Sequence, residues 1–277
     1  MSRLRSFLST VFSGPRAPYP ALPRPAVPIC LIGDLHGRRD LLDAMLAQID
    51  ARQNAASARL VFLGDMIDRG PDSAGVLTQL FAHARAQPGR VICLMGNHER
   101  MMLDFLDAPG IHGARWMSFG GAQTLTSFGV DPWGPGSGRT DEDRMAELAQ
   151  DLRAAMPPGL EDWLRALPLF WSEGRIVATH AGADPAKPIQ DQDPEALLWG
   201  HRTFLREMRG HRPARLWRDG IWVVHGHTIV PKAHALDGRI AVDTGAWING
   251  HLSAAWLGQE GLSFLTVQDR QAATASA

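Results

Sequence analysis

Three short apolar runs, each closed by a glycine and a small polar residue, place the strongest limits on how this chain can fold. They read ICLIGDLHG (Ile29 to Gly37), LVFLGDMIDRG (Leu60 to Gly70) and VICLMGNHE (Val91 to Glu99). Continuous apolar runs of this kind between turn residues are typical of strands buried on both faces, as in a parallel sheet covered by helices. We therefore expect the polar residues that follow the runs to meet at one sheet edge.

The polar residues after the three runs form the candidate site. They are Asp34, His36, Asp65, Asp68, Asn97 and His98. The carboxyl edge of an open α/β sheet is where ligands bind. Carboxylates gathered there repel one another unless a positive charge lies between them. The mixture of carboxylate, amide and imidazole groups suits manganese, iron or zinc better than magnesium, so the sequence predicts a metal centre.

Five further apolar runs lie in the second half of the chain. They are RIVATHAG (Arg175 to Gly182), IWVVHGHT (Ile221 to Thr228), RIAVDTGA (Arg239 to Ala246), HLSAAWL (His251 to Leu257) and LSFLTV (Leu262 to Val267). The last three follow one another without helices, which predicts antiparallel hairpins and a second sheet packed on the first. The expected fold class is α/β, a two-sheet β-sandwich flanked by helices in four αββα layers.

The 277 residues suffice for one large core, and we expect a single domain over residues 29–270. A helical insertion at about residues 100–167 is expected to cover the strand ends and select the substrate. The proline-rich residues 1–28 predict a flexible arm, and residues 271–277 a disordered tail.

Composition argues against nucleic-acid binding and against a membrane span. The formal net charge of −1 gives no overall attraction to nucleic acid. The apolar patch near the start is too short to span a bilayer. The two cysteines, Cys30 and Cys93, lie inside predicted strands, where a thiol serves as a small buried hydrophobe. These features favour a cytoplasmic protein without a membrane span.

The order of motifs along the chain carries a family resemblance. GDxHG, GDxxDRG, GNHE, THAG and GHT follow one another between Gly33 and Gly245, each at a predicted strand end. Together they resemble the phosphoprotein phosphatase branch of the calcineurin-like metallophosphoesterases, in particular its compact bacterial and phage members. The resemblance covers most of the chain.

The resemblance implies a centre with two divalent ions, most readily manganese, with iron or zinc as alternatives. The implied ligands, in chain order, are Asp34, His36, Asp65, Asn97, His180 and His227. The first two would hold one ion, the third would bridge both, and the last three would complete the second site. A hydroxide shared by two ions would attack phosphorus directly, so the nucleophile would be water.

Further roles follow from the resemblance. His98 would protonate the leaving oxygen, and Asp68 would orient its ring. Arg69 would hold phosphate oxygens in a bidentate fork. The family places a second phosphate-binding arginine after a tryptophan, but here LLWGHRTFL has His201 at that position, which leaves the adjacent Arg202 as the candidate.

Two substrates remain open on the sequence. The first reading is a phosphatase of phosphoserine and phosphothreonine in proteins or of small phosphoesters. The alternative is a symmetrical bis(5'-nucleosyl)-tetraphosphatase, a family with very similar motifs, which needs aromatic side chains for base stacking and additional cations. Trp116 and Trp133 of the insertion are candidates for such contacts, and His225 of HGHT is expected to stand behind the ligands. A binding protein without catalysis is disfavoured by the complete Asp68 and His98 pair.

Overall fold

Two five-stranded sheets form the centre of the molecule. A computed structural model describes residues 19–133, 140–209 and 220–269. The first sheet has the order β10-β9-β1-β2-β3, and the second has the order β4-β5-β6-β8-β7. The strands are β1 (Ile29–Ile32), β2 (Arg59–Phe62), β3 (Val91–Cys93), β4 (Phe170–Glu173), β5 (Ile176–Thr179), β6 (Trp222–His225), β7 (His234–Leu236), β8 (Arg239–Ala241), β9 (His251–Gly258) and β10 (Gly261–Gln268).

Helices pack outside the sheets. They are α1 (Arg39–Asp50), α2 (Ser73–Ala86), α3 (Asn97–Asp107), α4 (Pro109–Trp116), α5 (Ala122–Ser127), α6 (Asp141–Ala155), α7 (Leu160–Arg165), α8 (Pro194–Trp199), α9 (Arg202–Arg209) and α10 (Ala246–Asn249). A wide helical turn (Met117–Gly121) joins α4 to α5. The predicted insertion therefore contains a series of helices beside the strand ends.

The alternation of side chains along β1 explains the layers. Cys30 and Ile32 face the core that the first sheet shares with the helices, whereas Ile29 and Leu31 face the core between the sheets. Both sets are fully buried because each strand side chain points to the opposite face from its neighbour. The sandwich of two sheets with helices outside, expected from the sequence, is confirmed.

The parallel pairing of β1, β2 and β3 was predicted correctly, but the placement of β9 and β10 was wrong. The two strands form an antiparallel hairpin as expected, yet β9 pairs with β1 of the first sheet. The short helix α10 lies between Gly245 and Gly250, whose left-handed φ angles of 78° and 67° reverse the chain there. Close spacing in the sequence specifies a hairpin, but it does not specify the sheet that the hairpin joins.

The end of the predicted arm packs on the second sheet. The ring of Tyr19 lies edge-on to Trp222 at 5.3 Å, and the Trp222 Nε1–H donates to the Pro20 carbonyl at 3.0 Å. The predictions for residues 1–18 and for the tail at 271–277 lie outside the described residues. Within the described ranges, no helix has the length and apolar character that crossing a bilayer requires.

Candidate metal centre

Asp65 stands between two groups of potential metal ligands. His36, Asp65 and His98 form one group, and Asp65, His180 and His227 form the other, with the donor atoms of each group within 4.8 Å of one another. The segments after β1, β2, β3, β5 and β6 supply these residues, so the site lies where strands of both sheets end. A carboxylate with two oxygens can serve both groups at once.

Asn97 completes the second group. Its Oδ1 atom lies 2.9 Å from His180 Nε2 and 3.0 Å from His227 Nδ1. His180 Nε2 is also 3.3 Å from Asp65 Oδ1, and its Nδ1–H donates to the Leu63 carbonyl at 2.9 Å. That carbonyl fixes the ring so that Nε2 faces the centre, as in many metal-binding histidines.

Asp34 closes the site from the first strand. Its carboxylate accepts the His227 backbone N–H at 2.9 Å, and so links the end of β1 to the loop after β6. Gly226 permits this approach, because a Cβ atom there would lie 1.9 Å from Asp34 Oδ1. The glycine of the GHT motif is thus required by the closeness of the carboxylate.

Several site residues have an unusual backbone conformation. His36, Asp65, Asp68, Arg69 and His227 all have φ between 45° and 71°. Such left-handed residues each cost about 1–3 kcal/mol and persist only where their surroundings fix them. The local backbone therefore stores strain at the points from which these side chains reach the centre.

Glu99 is one source of that constraint, and no role for it was predicted. Its fully buried carboxylate accepts the N–H groups of Asp65, Met66 and Gly96 at 2.7–2.9 Å. Burial, followed by the charge of Asp65, raises the pKa of Glu99 to about 7. The signal in the sequence was the last letter of GNHE, but two of its three N–H donors, Asp65 and Met66, lie in the GDMIDRG motif.

Buried carboxylates give the centre an excess of negative charge. Burial raises the pKa of Asp34, and the nearby charges of Asp243 and Asp65 raise it further. Burial also raises the pKa of Asp243 to about 6. Asp243, four percent exposed after β8, is a second residue that was not anticipated. Carboxylates assembled out of water in this way need positive charge, so the donor set fits two divalent cations.

The histidines of the two groups differ in their electrostatics. Burial lowers the pKa of His36 to about 3 and that of His227 to about 4, and it also lowers the pKa of His180. Neutral imidazole is the form that binds metals. Burial also acts to lower the pKa of His98, but the carboxylates of Asp65 and Asp68 outweigh it and the net pKa is raised.

The Asp68 carboxylate is held by several donors. Its Oδ2 atom accepts the His98 Nδ1–H at 2.6 Å and the Trp116 Nε1–H at 3.0 Å, and its Oδ1 atom accepts the Thr124 hydroxyl at 2.6 Å. Trp116 and Thr124 belong to α4 and α5, so the insertion positions this carboxylate. Trp116 is fully buried, which leaves it no surface for the substrate contact suggested by the sequence.

Arg69 lies at the metal-facing side of the first group. Its Nη2 atom lies 3.0 Å from His98 Nε2 and its Nη1 atom lies 3.3 Å from His36 Nε2. A phosphate at the centre would be within reach of this fork. Arg202, by contrast, is exposed at the start of α9, and His201 lies 3.6 Å from Asp184.

An aromatic surface borders both groups, and it was not predicted. The ring of Phe119 lies 6.1 Å from His98 and 6.4 Å from Trp199, and the Trp199 ring lies 6.4 Å from His227. The Arg115 guanidinium covers Trp199 at 4.8 Å. Phe119 is 38% exposed. We call Phe119, Trp199 and Arg115 together the aromatic surface. Trp133, the other candidate from the sequence, is 79% exposed in the insertion.

The donor geometry and the motif order agree with a comparison of whole sequences. The family model for calcineurin-like phosphoesterases matches residues 27–252. The chain belongs to this family. The metallophosphoesterase class expected from the sequence is therefore correct, and with it a hydrolase with a centre for divalent metal.

The similar sequences include bis(5'-nucleosyl)-tetraphosphatases of two kinds. A symmetrical bis(5'-nucleosyl)-tetraphosphatase of Janthinobacterium sp. (strain Marseille) is 32% identical over 197 residues, or 69% of this chain and 58% of that protein. The asymmetrical bis(5'-nucleosyl)-tetraphosphatase PrpE of Bacillus subtilis (strain 168) is 24% identical and covers 80% of this chain and 88% of its own length. The chain thus spans about three fifths of the symmetrical relatives and most of the asymmetrical ones.

Solved structures share the fold across different substrates. The crystal structure of a candidate diadenosine tetraphosphatase superposes with a TM-score of 0.60 at 23% identity and covers 90% of this chain and 96% of that one. A cold-active protein-tyrosine phosphatase of a Shewanella species superposes at 0.56 with 18% identity over 90% of this chain and 83% of that one. At these identities the likeness shows the fold alone.

Proposed function

We propose that this chain is a two-metal hydrolase of dinucleoside tetraphosphates, which it cleaves at a phosphoanhydride bond. The observation that carries the proposal is the aromatic surface of Phe119, Trp199 and Arg115 beside both ligand groups. Nucleobases bind on aromatic rings and guanidinium planes. The names of the relatives support the same substrate class over the phosphoprotein that the motifs first suggested.

The proposed ligands follow the geometry of the two groups. The set is Asp34, His36, Asp65, Asn97, His180 and His227. In the proposal Asp65 is shared, and manganese is the favoured ion because carboxylate, amide and imidazole donors are mixed. Two divalent ions bound there would activate water and stabilise negative charge on the phosphoryl oxygens.

The side chains around the ions carry the remaining steps. Arg69 binds two oxygens of the reacting phosphate through its guanidinium fork. Water attacks phosphorus and releases one proton to the solvent. The bond from phosphorus to the bridging oxygen breaks, and His98 gives that oxygen a proton from Nε2. Asp68 holds the Nδ1–H of His98 and stabilises the charged ring. In the proposal Arg202 remains the candidate for the second arginine that binds phosphate.

The test compares two substrates on one metal-loaded preparation. With manganese titrated into the protein, we expect kcat/KM for diadenosine tetraphosphate to exceed that for a phosphoserine peptide by about 10- to 100-fold, the scale of stacking for one base. Chromatography of the products would show ADP alone for symmetrical cleavage, or AMP with ATP for asymmetrical cleavage. A preference for the phosphopeptide would overturn the proposal.

A variant connects this preference to the aromatic surface. We expect Phe119→Ala to lower kcat/KM for the tetraphosphate by about tenfold and to change the value for p-nitrophenyl phosphate by much less, since stacking needs a base. Trp133→Ala is the matched control, because it also removes an exposed aromatic ring of the insertion. Equal losses on both substrates would mean that Phe119 supports the centre and not the base.

A further inference from the structure

A cavity adjoins the candidate metal centre beside Arg69 and Trp247. It has a volume of about 540 Å³ and is lined by Arg69, Trp247, the start of α1 and Asp269. Arg69 also contacts His36 and His98, so this side chain separates the cavity from the metal ligands. The volume lies in the range of ordinary small-molecule sites.

The wall nearest the centre is made by an aromatic ring and a guanidinium. The Arg69 guanidinium lies over the Trp247 ring at 4.8 Å, and this ring lies 6.4 Å from that of His36. Trp247 is half-buried in α10. Planar groups of this kind are the surfaces on which nucleobases stack. Two pairs of an indole and an arginine therefore border the centre, Trp199 with Arg115 beside His227 and Trp247 with Arg69 beside His36.

The charges in the cavity favour a neutral ligand. Arg38 lies 2.6 Å from Asp40 and 2.8 Å from Asp269, and Arg39 lies 4.0 Å from Asp43 and 3.7 Å from Asp72. All four carboxylates therefore already have an arginine nearby. A phosphate chain would meet these carboxylates, and a basic peptide would compete with the arginines.

A nucleoside matches this lining better than a phosphate chain or a basic peptide does. Its hydroxyl and amino groups are donors that the rim carboxylates can accept, and its base offers a flat face to the ring. Asp40 and Asp43 keep about half of their side-chain surface exposed, so their oxygens remain accessible despite the arginines.

We propose that the cavity between α1 and Trp247 binds the second nucleoside of the dinucleotide, while the aromatic surface binds the first. This inference rests on the proposed function and extends it, because it explains why a substrate with two nucleosides would be preferred. Trp247 then determines specificity for the dinucleotide, and Arg69 joins the cavity to the reacting phosphate.

The decisive experiment removes one nucleoside from the substrate and one ring from the protein. Diadenosine tetraphosphate and adenosine 5'-tetraphosphate have the same number of phosphates but differ by one nucleoside. For the wild type we expect kcat/KM to be about 10- to 100-fold higher with the dinucleotide. Trp247→Ala should bring this ratio close to one, and Trp247→Phe should keep most of it.

Controls separate a binding role from damage to the fold. Ile248→Ala removes an exposed apolar side chain of the same helix, α10, that does not line the cavity, and it should keep the wild-type ratio. If Trp247→Ala does not fold, Asp43→Asn at the rim is the second variant, with an expected fall in the ratio of about threefold for one hydrogen bond. An unchanged ratio in a folded Trp247→Ala variant would overturn the inference. A larger loss with a basic phosphopeptide than with the dinucleotide would also overturn it, by indicating a peptide site.

The inference can fail or survive separately from the proposed function. If the wild type hydrolyses neither nucleotide, the proposed function fails, and ADP and pyrophosphate are compared as inhibitors of p-nitrophenyl phosphate turnover. A nucleoside site predicts about tenfold tighter inhibition by ADP, with the difference lost in Trp247→Ala. Equal inhibition of the wild type by both compounds would overturn the inference as well.

Discussion

His98 and His180 lie next to different oxygens of the Asp65 carboxylate, yet the pKa of His98 is raised and that of His180 is lowered. His98 Nε2 lies 3.9 Å from Asp65 Oδ2, and His180 Nε2 lies 3.3 Å from Asp65 Oδ1. Behind His98 is the Asp68 carboxylate at 2.6 Å, whereas behind His180 is the Leu63 carbonyl at 2.9 Å. The pKa of His98 is raised against the effect of burial, and burial lowers that of His180.

The difference teaches that the group behind each ring decides its chemistry. A carboxylate favours the charged imidazolium, which can give up a proton, while a carbonyl accepts one N–H and leaves a neutral ring for a metal. Two histidines of one centre can therefore serve as acid and ligand without any difference in residue type. The variants below change this arrangement in order of expected effect.

Replacing the shared carboxylate should have the largest effect. We expect Asp65→Asn to lose metal from both groups, because the amide has one oxygen donor and no charge. Elemental analysis after dialysis should show less than half of the wild-type metal, and activity should fall by more than about 10⁴-fold, beyond the loss of one general acid. Asp50→Asn, exposed at the end of α1, is the control. Full occupancy in Asp65→Asn would contradict a bridging role.

Removing the acid should have the next largest effect and should leave the ligand side intact. We expect His98→Asn to retain metal and to slow phenyl phosphate hydrolysis by about 10²–10⁴-fold. p-Nitrophenyl phosphate should suffer less, because its leaving oxygen is a weaker base and needs the proton less. His234→Asn changes an exposed histidine of β7 as a control. Equal losses with both esters would show that His98 does not supply the proton.

The sequence predicted this pair of residues but not the environment that separates them. The motifs at the ends of the first three strands predicted the place of His98, whereas His180, which follows a strand of the other sheet, was predicted from the family resemblance. The sequence motifs do not predict backbone contacts such as the one between His180 and the Leu63 carbonyl, because every residue has a carbonyl. The role of Glu99 was hidden for the same reason, because its partners are backbone N–H groups.

Long-range placement set the other limit. Phe119 and Trp199 are eighty positions apart, and no local period relates them, so the aromatic surface appears only in the folded chain. The β9–β10 hairpin followed from spacing, but its pairing with β1 depends on the reversal at α10. The sequence therefore predicts the residues of each motif and the local hairpin, but it does not predict which distant residues or strands they contact.

The carboxylate behind His98 can be neutralised without removing the ring. Because the acid form of His98 exists below its raised pKa, proton donation is lost as the pH rises through that value. Asp68→Asn removes one cause of the raised pKa, so the alkaline limb of kcat should move to lower pH, with a loss of about tenfold near pH 8. The pH profile of kcat distinguishes this effect from a structural defect. A structural defect would lower kcat by the same factor at every pH, and that result would contradict the assignment.

The smallest expected change concerns the indole that supports Asp68. Trp116 stacks on Phe105 at 4.7 Å and donates its Nε1–H to Asp68, so Trp116→Phe keeps an aromatic ring and removes the donor. We expect the free energy of unfolding to fall by about 1–3 kcal/mol, and kcat to fall by about two- to tenfold because Asp68 is held less firmly. Trp163→Phe, which changes a tryptophan packed on Phe81, measures the cost of a smaller ring alone. If both variants lower stability and leave kcat unchanged, Trp116 supports only the fold, and the difference between His98 and His180 rests on Asp68 without help from the Trp116 indole.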